Sequence, residues 1–226
     1  MQGMIRCGAL AGYLVACFVA CNSSNPAGTD SGAPDGSTGA AGMHVTWSTS
    51  PAMWPGAIAS GFQLDNATFL FDNLKVIGDA GPGDDRTSAN AFQLHWDATN
   101  MPATIDFTDA PTGVYSKVTF QIDGHLIQSS YKLHGHVTVS NVSVPFEIED
   151  REALSLSLQC NRTLAPGGSV TIDVVLNFTD ALKSIDWTKV HTDDNGNLEL
   201  DTTDSQMPSF RNKFASSFAI DGSGPN

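Results

Sequence analysis

Cysteine is scarce in this chain, and its placement excludes a good deal. Of four cysteines in 226 residues, Cys7, Cys17 and Cys21 all precede Asn22, which leaves Cys160 alone in the remainder. A disulfide within the folded part is therefore excluded. Positive charge is scarce too: 11 Lys and Arg stand against 24 Asp and Glu, a net charge of −13. A nucleic-acid partner needs basic surface to displace counterions, and so does electrostatic docking on anionic lipid. Long apolar runs are missing: the uncharged stretch from Cys7 to Ala20 falls short of the roughly 20 residues of a spanning helix. Also absent are a Gly-x-Ser-x-Gly elbow, a His-Glu-x-x-His helix and a phosphate-binding glycine loop, the local signatures of common hydrolases and nucleotide enzymes.

What is present begins at the amino terminus. Arg6 precedes the uncharged run, the order of a secretory n-region and h-region. Leu14-Val15-Ala16-Cys17 and Phe18-Val19-Ala20-Cys21 both resemble the bacterial lipobox, in which cleavage before a cysteine exposes it for lipidation. Cys17 has the better residue at position −3. Cys21 has the better context, because Asn22-Ser23-Ser24-Asn25 follows it at once. Cys21 is thus the preferred anchor and Cys17 the alternative. The resemblance implies a covalent lipid on the N-terminal cysteine, the membrane as partner and a cell-envelope address. Asn22 after the cysteine, rather than an inner-membrane Asp, points to the outer membrane, on its periplasmic or surface face.

The divisions follow from composition: residues 1–20 as signal peptide, 21–42 as lipidated cysteine and tether, and 43–226 as one domain. From Asn22 to Gly42 there is no aromatic residue and no Leu, Ile, Val or Met. Such a stretch cannot bury a core and behaves as a flexible coil with a reach of about 25 Å.

Beyond Phe62 the dominant period is two. Phe92-Leu94-Trp96 alternates with Gln93-His95-Asp97, and Val118-Phe120-Ile122 with Lys117-Thr119-Gln121. The same pattern runs through Leu133 to Val139, Leu154 to Cys160 and Val170 to Phe178. These are half-buried strands separated by Gly, Pro and Asn-Gly turns. Cys160 continues the Leu154-Leu156-Leu158 face and reads as a small buried hydrophobe. Two short helices are predicted near the carboxyl end. Thr179 or Asp180 caps the first; Ser205 caps the second, with Pro208 in its first turn and Phe210, Phe214 and Phe218 on one face. The fold class is all-β, a two-sheet antiparallel sandwich. "APTGVYSKVTFQID" (Ala110–Asp123) resembles the Pro-x-Gly-x-Tyr strand entry of prealbumin-like and carboxypeptidase-regulatory-like sandwiches. "LAPGGSVTIDVVLNF" followed by "DALKSIDW" resembles the closing strands of bacterial lipoprotein sandwich domains. These motifs serve turns and packing, so they imply a fold rather than an activity.

Candidate chemistry concentrates in "YKLHGHVTVSNVSVPFEIED" (Tyr131–Asp150), a predicted hairpin. A turn centred on Asn141-Val142 sets Val139 against Val144, His136 against Glu147 and His134 against Glu149. His125 joins them from the preceding strand. Imidazole and carboxylate are acceptable zinc or copper ligands, so the set is a candidate metal site. Cross-strand ion pairs on a solvated face, or a pH-responsive patch, are the competing readings. "HTDDNGNLELD" (His191–Asp201) has calcium-loop flavour, but its ligand positions do not match, and a turn on Asn195-Gly196 explains it better. Met43, His44, Trp47, Met53 and Trp54 cluster before the first long strand, as a copper or sugar contact or, preferably, as the seal on one end of the core. The resulting expectation is a non-enzymatic envelope lipoprotein that presents a sandwich to a ligand or to a protein or glycan partner. A zinc- or copper-binding lipoprotein and a carbohydrate-binding module are the alternatives.

Overall fold

A computed structural model describes residues 41–222 apart from 53, 54, 80, 89, 126 and 127. The expected signal peptide, Cys17, Cys21 and nearly all of the tether lie outside the described residues, as do Met53 and Trp54. In chain order the first strands are β1 (Gly42–Thr49), β2 (Gly56–Ala59), β3 (Phe62–Gly78), β4 (Arg86–Thr87), β5 (Phe92–Trp96), β6 (Ile105–Phe107) and β7 (Gly113–Ile122). There follow β8 (Tyr131–Val139), β9 (Val142–Asp150), β10 (Leu154–Leu164) and β11 (Ser169–Leu176). The carboxyl-terminal part comprises α1 (Thr179–Lys183), β12 (His191–Thr192), β13 (Leu198–Leu200), α2 (Met207–Ala215) and β14 (Phe218–Ile220).

The expected two-sheet sandwich is what forms. The smaller sheet runs β14-β11-β1-β6, and the larger is organised on β3, whose 17 residues serve several partners in tandem. Along one side of β3 lie β8, against Phe62 to Phe69, and β7, against Phe71 to Gly78. Along the other lie β2, β5 and β4. Because β7 and β8 meet end to end, the larger sheet forks into a β7–β10 wing and a β8–β9–β13–β12 wing. Register breaks in β3 between Leu64 and Asn66 and between Asp72 and Lys75 flank the fork, the irregularity of β-bulges. Two pairings are parallel, β1 with β11 and β9 with β13. Each joins strands far apart in sequence, so no tight hairpin imposes the antiparallel direction.

The period-two faces point where their pattern requires. Leu94, Trp96, Phe120, Ile122, Leu133, Val137, Leu156, Leu158 and Cys160 are all buried. Tyr115 confirms the turn role of its motif: its hydroxyl donates to the Pro111 carbonyl at 2.7 Å. That ties the strand entry to itself much as a tyrosine corner does. Between the sheets lies an aromatic cluster centred on Phe214, whose ring stacks on Tyr131 at 4.3 Å and on Phe178 at 5.2 Å.

Besides the cap of α1, which is Phe178 rather than Thr179 or Asp180, three sequence expectations are corrected. The β8–β9 hairpin closes through two residues, Ser140 and Asn141, both at positive φ (49° and 65°). That is the type I′ geometry whose twist matches the flanking strands. The register accordingly slides by two, so Val139 pairs with Val142, His134 with Glu147, His136 with Pro145 and Lys132 with Glu149. A slide of two leaves every side chain on its expected face. The second correction concerns α2, whose N-cap is Gln206 rather than Ser205 and carries no side-chain cap; Asp204 Oδ1 instead accepts the Gln206 N–H at 2.7 Å. The third is Phe218, which leaves the helix to pair in β14.

Gly135 is required for packing. A β-carbon there would come within 2.1 Å of the Gln63 carbonyl and 2.8 Å of the Phe146 ring. That ring packs on Trp187 at 4.9 Å.

Helix α2 is fastened to the larger sheet by a buried ion pair. Asp150 is fully buried and receives Arg211 Nε at 2.6 Å and an Arg211 terminal nitrogen at 2.7 Å. The Tyr131 hydroxyl donates to it at 2.8 Å and the Thr202 hydroxyl at 3.2 Å. Burial pushes the Asp150 carboxyl up, but hydrogen bonds from Arg211 and Tyr131 outweigh it and hold the group below the usual carboxylate range.

Candidate functional site

The residues singled out from sequence share one sheet face, yet most engage separate neighbours. His134 Nδ1 lies 3.7 Å from Glu147. His136 Nδ1 turns to Asp65 at 2.9 Å, across the β3 side. Glu149 receives Lys132 Nζ at 2.7 Å and the Ser129 hydroxyl at 2.5 Å, with Arg151 at 3.5 Å. His125 stands apart on the β7–β8 loop, 3.6 Å from both Asp72 and Asp123. As the side chains stand, no group of three or more His, Cys, Asp or Glu among the described residues could hold a metal ion. The slid register sets the ammonium of Lys132, rather than an imidazole, against Glu149. The pairing of β13 on β9 adds two residues that sequence reasoning missed. Glu199 faces Glu147, and His191 faces Glu199, so His134, Glu147, Glu199 and His191 form one row. Only long-range pairing creates that row, so no local signal announces it.

A trough crosses this face. Its middle is a cleft of about 410 Å³ between Thr68, Gln93, Lys132 and Glu149. A second cleft of about 170 Å³ adjoins it through Leu70, Gln93 and Gln128 and ends on Phe92 and His125. A third, of about 320 Å³, continues it through Glu149 and Arg151 to Glu199 and Asp201. The run passes from β5 over β3, β8 and β9 to β13, across the strands rather than along them. The loop that joins β7 to β8 at the fork supplies Gln128 and Ser129.

Two of its polar groups are fixed in place. Asp97 receives the backbone N–H and hydroxyl of Thr99 and both N–H groups of Asn100. These hydrogen bonds, the Thr99 N–H first among them, hold it ionised far below the usual carboxylate range. An ionised carboxylate only accepts hydrogen bonds, so at 2.9 Å it accepts one from the His95 Nε2–H. With a neutral ring, His95 Nδ1 is then an acceptor, and the Thr68 hydroxyl donates to it at 2.8 Å. The Thr68 oxygen, in the lining of the cleft, keeps the capacity to accept. Glu149 is likewise fixed. Burial pushes its carboxyl up, but hydrogen bonds from Lys132 and Ser129, with the charges of Lys132 and Arg151, leave it below the usual range. The outward set Gln93-His95-Asp97 was visible as alternation, but the pairing of Thr68 with His95 was not.

The chain Thr68–His95–Asp97 has nucleophile–base–orienter spacing. Thr68 sits mid-strand with β5 on one side and β8 on the other, so the nearby backbone N–H groups belong to ladders and do not gather at an oxyanion position.

The remaining sequence candidates serve structure. Cys160 is buried, donates to the Tyr115 carbonyl at 3.4 Å, and its thiol is pushed up to about 11 by burial; a thiol so raised is a poor nucleophile. The His191–Asp201 stretch is the expected hairpin, with Gly196 at φ 86° and Asp193 Oδ1 accepting the Asn195 and Asn197 N–H groups. Met43 and Trp47 are core residues, and His44 bonds Asp106 at 2.7 Å. Among the described residues no helix is long and apolar enough to cross a membrane.

No family model, curated protein or solved structure matches this chain. The chemistry of the face therefore rests on its own geometry.

Proposed function

We propose that the protein is a lipid-anchored envelope protein whose sandwich is a non-catalytic binding module, taking its ligand on the outer face of the larger sheet. The observation that carries this reading is the row of three clefts across β5, β3, β8, β9 and β13, each sharing lining residues with the next and the central one carrying polar groups already oriented. Sites built on strands hold their geometry better than sites built on loops. Lipobox-like sequences at Cys17 and Cys21 and the polar tether after them support anchoring at the outer membrane. There the tether would hold the domain clear of the headgroups.

The anchor is tested by mass spectrometry of the mature N-terminal peptide from protein taken from its native envelope. Acyl mass on Cys21, with Asn22 next, is the expected result. Lipid on Cys17 would move the boundary, and an unmodified terminus would remove the anchor. The binding face is tested by covalent amine and carboxylate labelling of the detergent-solubilised full chain, with and without native envelope extract. Extract should protect Lys132 and Glu149 while leaving Lys189 and Asp186, an exposed pair elsewhere, reactive. Uniform labelling in both samples would sink the assignment of this face.

A further inference from the structure

We infer that the trough is a glycan site that takes a neutral oligosaccharide laid across the strands. This rests on the reading of that face as the binding surface and names the ligand class. Shape is the first reason. From β5 to β13 there are four inter-strand steps, about 19 Å at the usual strand spacing, which suits a chain of several rings better than one small molecule. The second reason is the mixture of hydrogen-bonding groups. Thr68 and Glu149 present acceptors, Lys132 presents donors, and the Gln93 and Gln128 amides present both. A sugar hydroxyl both donates and accepts, so a row of them can satisfy such a mixture without leaving either kind unpaired. At the β5 end the lining turns apolar at Leu70 and Ala91, with the half-buried Phe92 behind them, a surface suited to the C–H face of a pyranose ring.

Charge decides against the anionic polymers. Lys132 and Arg151 already face Glu149, and Glu199 and Asp201 line the far end, so no cationic surplus remains for phosphate or sulfate. A peptide strand is disfavoured differently. Strand addition needs an unpaired sheet edge, whereas the trough crosses strands whose backbone groups are paired with one another. The prior fixing of Thr68 by His95 and of Glu149 by Ser129 and Lys132 lowers the ordering cost of binding.

The test is isothermal titration of the detergent-solubilised full chain with maltohexaose, cellohexaose, xylohexaose and chitohexaose, and with a heparin-derived oligosaccharide as the anionic probe. Wild type should bind at least one neutral hexaose and not the heparin fragment. Gln93→Ala and Lys132→Ala should each weaken that binding about tenfold, the loss of a hydrogen bond in a desolvated cleft. Gln159→Ala, on the outer face of β10, should leave it unchanged, and thermal melts matching wild type show that the variants fold. Absence of binding by all four hexaoses, preference for the heparin fragment, or equal binding by the trough variants would each overturn the inference. If envelope extract protects Lys132 and Glu149 from labelling while no neutral hexaose binds, the ligand class is wrong and the binding face stands. Failure of both experiments removes the face as well.

Discussion

Arg211→Met should lower the unfolding free energy at neutral pH by about 3–5 kcal/mol, the usual consequence of leaving one member of a buried ion pair alone. Asp150 is wholly buried and takes both of its strong bonds from this guanidinium. Methionine fills much of the same volume, so the loss reads the stranded charge rather than a cavity. The pH dependence gives the result its signature. In wild type the folded pKa of Asp150 is depressed, so its stabilisation is present above the unfolded value of about 3.9 and is lost as pH falls through the lower folded value. Without Arg211, burial is opposed only by neutral donors, and the folded pKa rises above the unfolded one. The variant then loses stability as pH rises through that window. Its deficit should be widest at neutral pH and should narrow in acid. Urea denaturation across the pH range measures it, and a deficit that stays constant with pH would show that the charge is not the cause. Asp150→Asn combined with Arg211→Met should recover part of the loss, because the stranded charge is gone.

Phe214→Ala should cost a comparable amount, about 3–5 kcal/mol, for a different reason. Phe214 is fully buried and its ring meets five others: Phe69, Tyr131, Phe178, Phe210 and Phe218. These come from β3, β8, the turn before α1, α2 itself and β14, so truncation opens a hole where both sheets and the helix converge. The surrounding strands are locked in their ladders and cannot close over it. Phe92→Ala is the comparison. That ring stacks on Phe71 at 5.3 Å but is only half-buried, and its truncation should cost less than half as much. Unlike the Arg211 variant, Phe214→Ala should show a deficit independent of pH, since no titrating group loses its partner. Equal losses for the two phenylalanine variants would mean that the cavity reasoning is misplaced.

The two variants also separate what was legible in the sequence from what was not. Phe214 was visible: its spacing from Phe210, with Pro208 before it, marked one apolar face of a short helix. Arg211 between them gave no sign of importance. Nothing local distinguishes a helix arginine in solvent from one that reaches a carboxylate 61 positions away. The same holds for the hairpin. Apolar alternation placed His134, His136, Glu147 and Glu149 on one outward face, because a period of two allows only two faces. Turn length was decided instead by Ser140 and Asn141 entering the left-handed region together, and that choice moved every cross-strand partner by two positions.

By itself the sequence determined the all-β class, the buried faces of the strands, the inert burial of Cys160, the turn at Gly196 and the acidic character of the whole. Each follows from short-range alternation, local turn chemistry or composition, quantities that do not depend on what lies across the fold. The tertiary structure alone decided that β3 serves two wings, that Asp150 finds Arg211, that Thr68 finds His95, and that three clefts line up across one sheet face. Those are contacts between segments far apart in the chain. Their geometry is set by sheet pairing and twist, which a linear pattern of side chains does not specify.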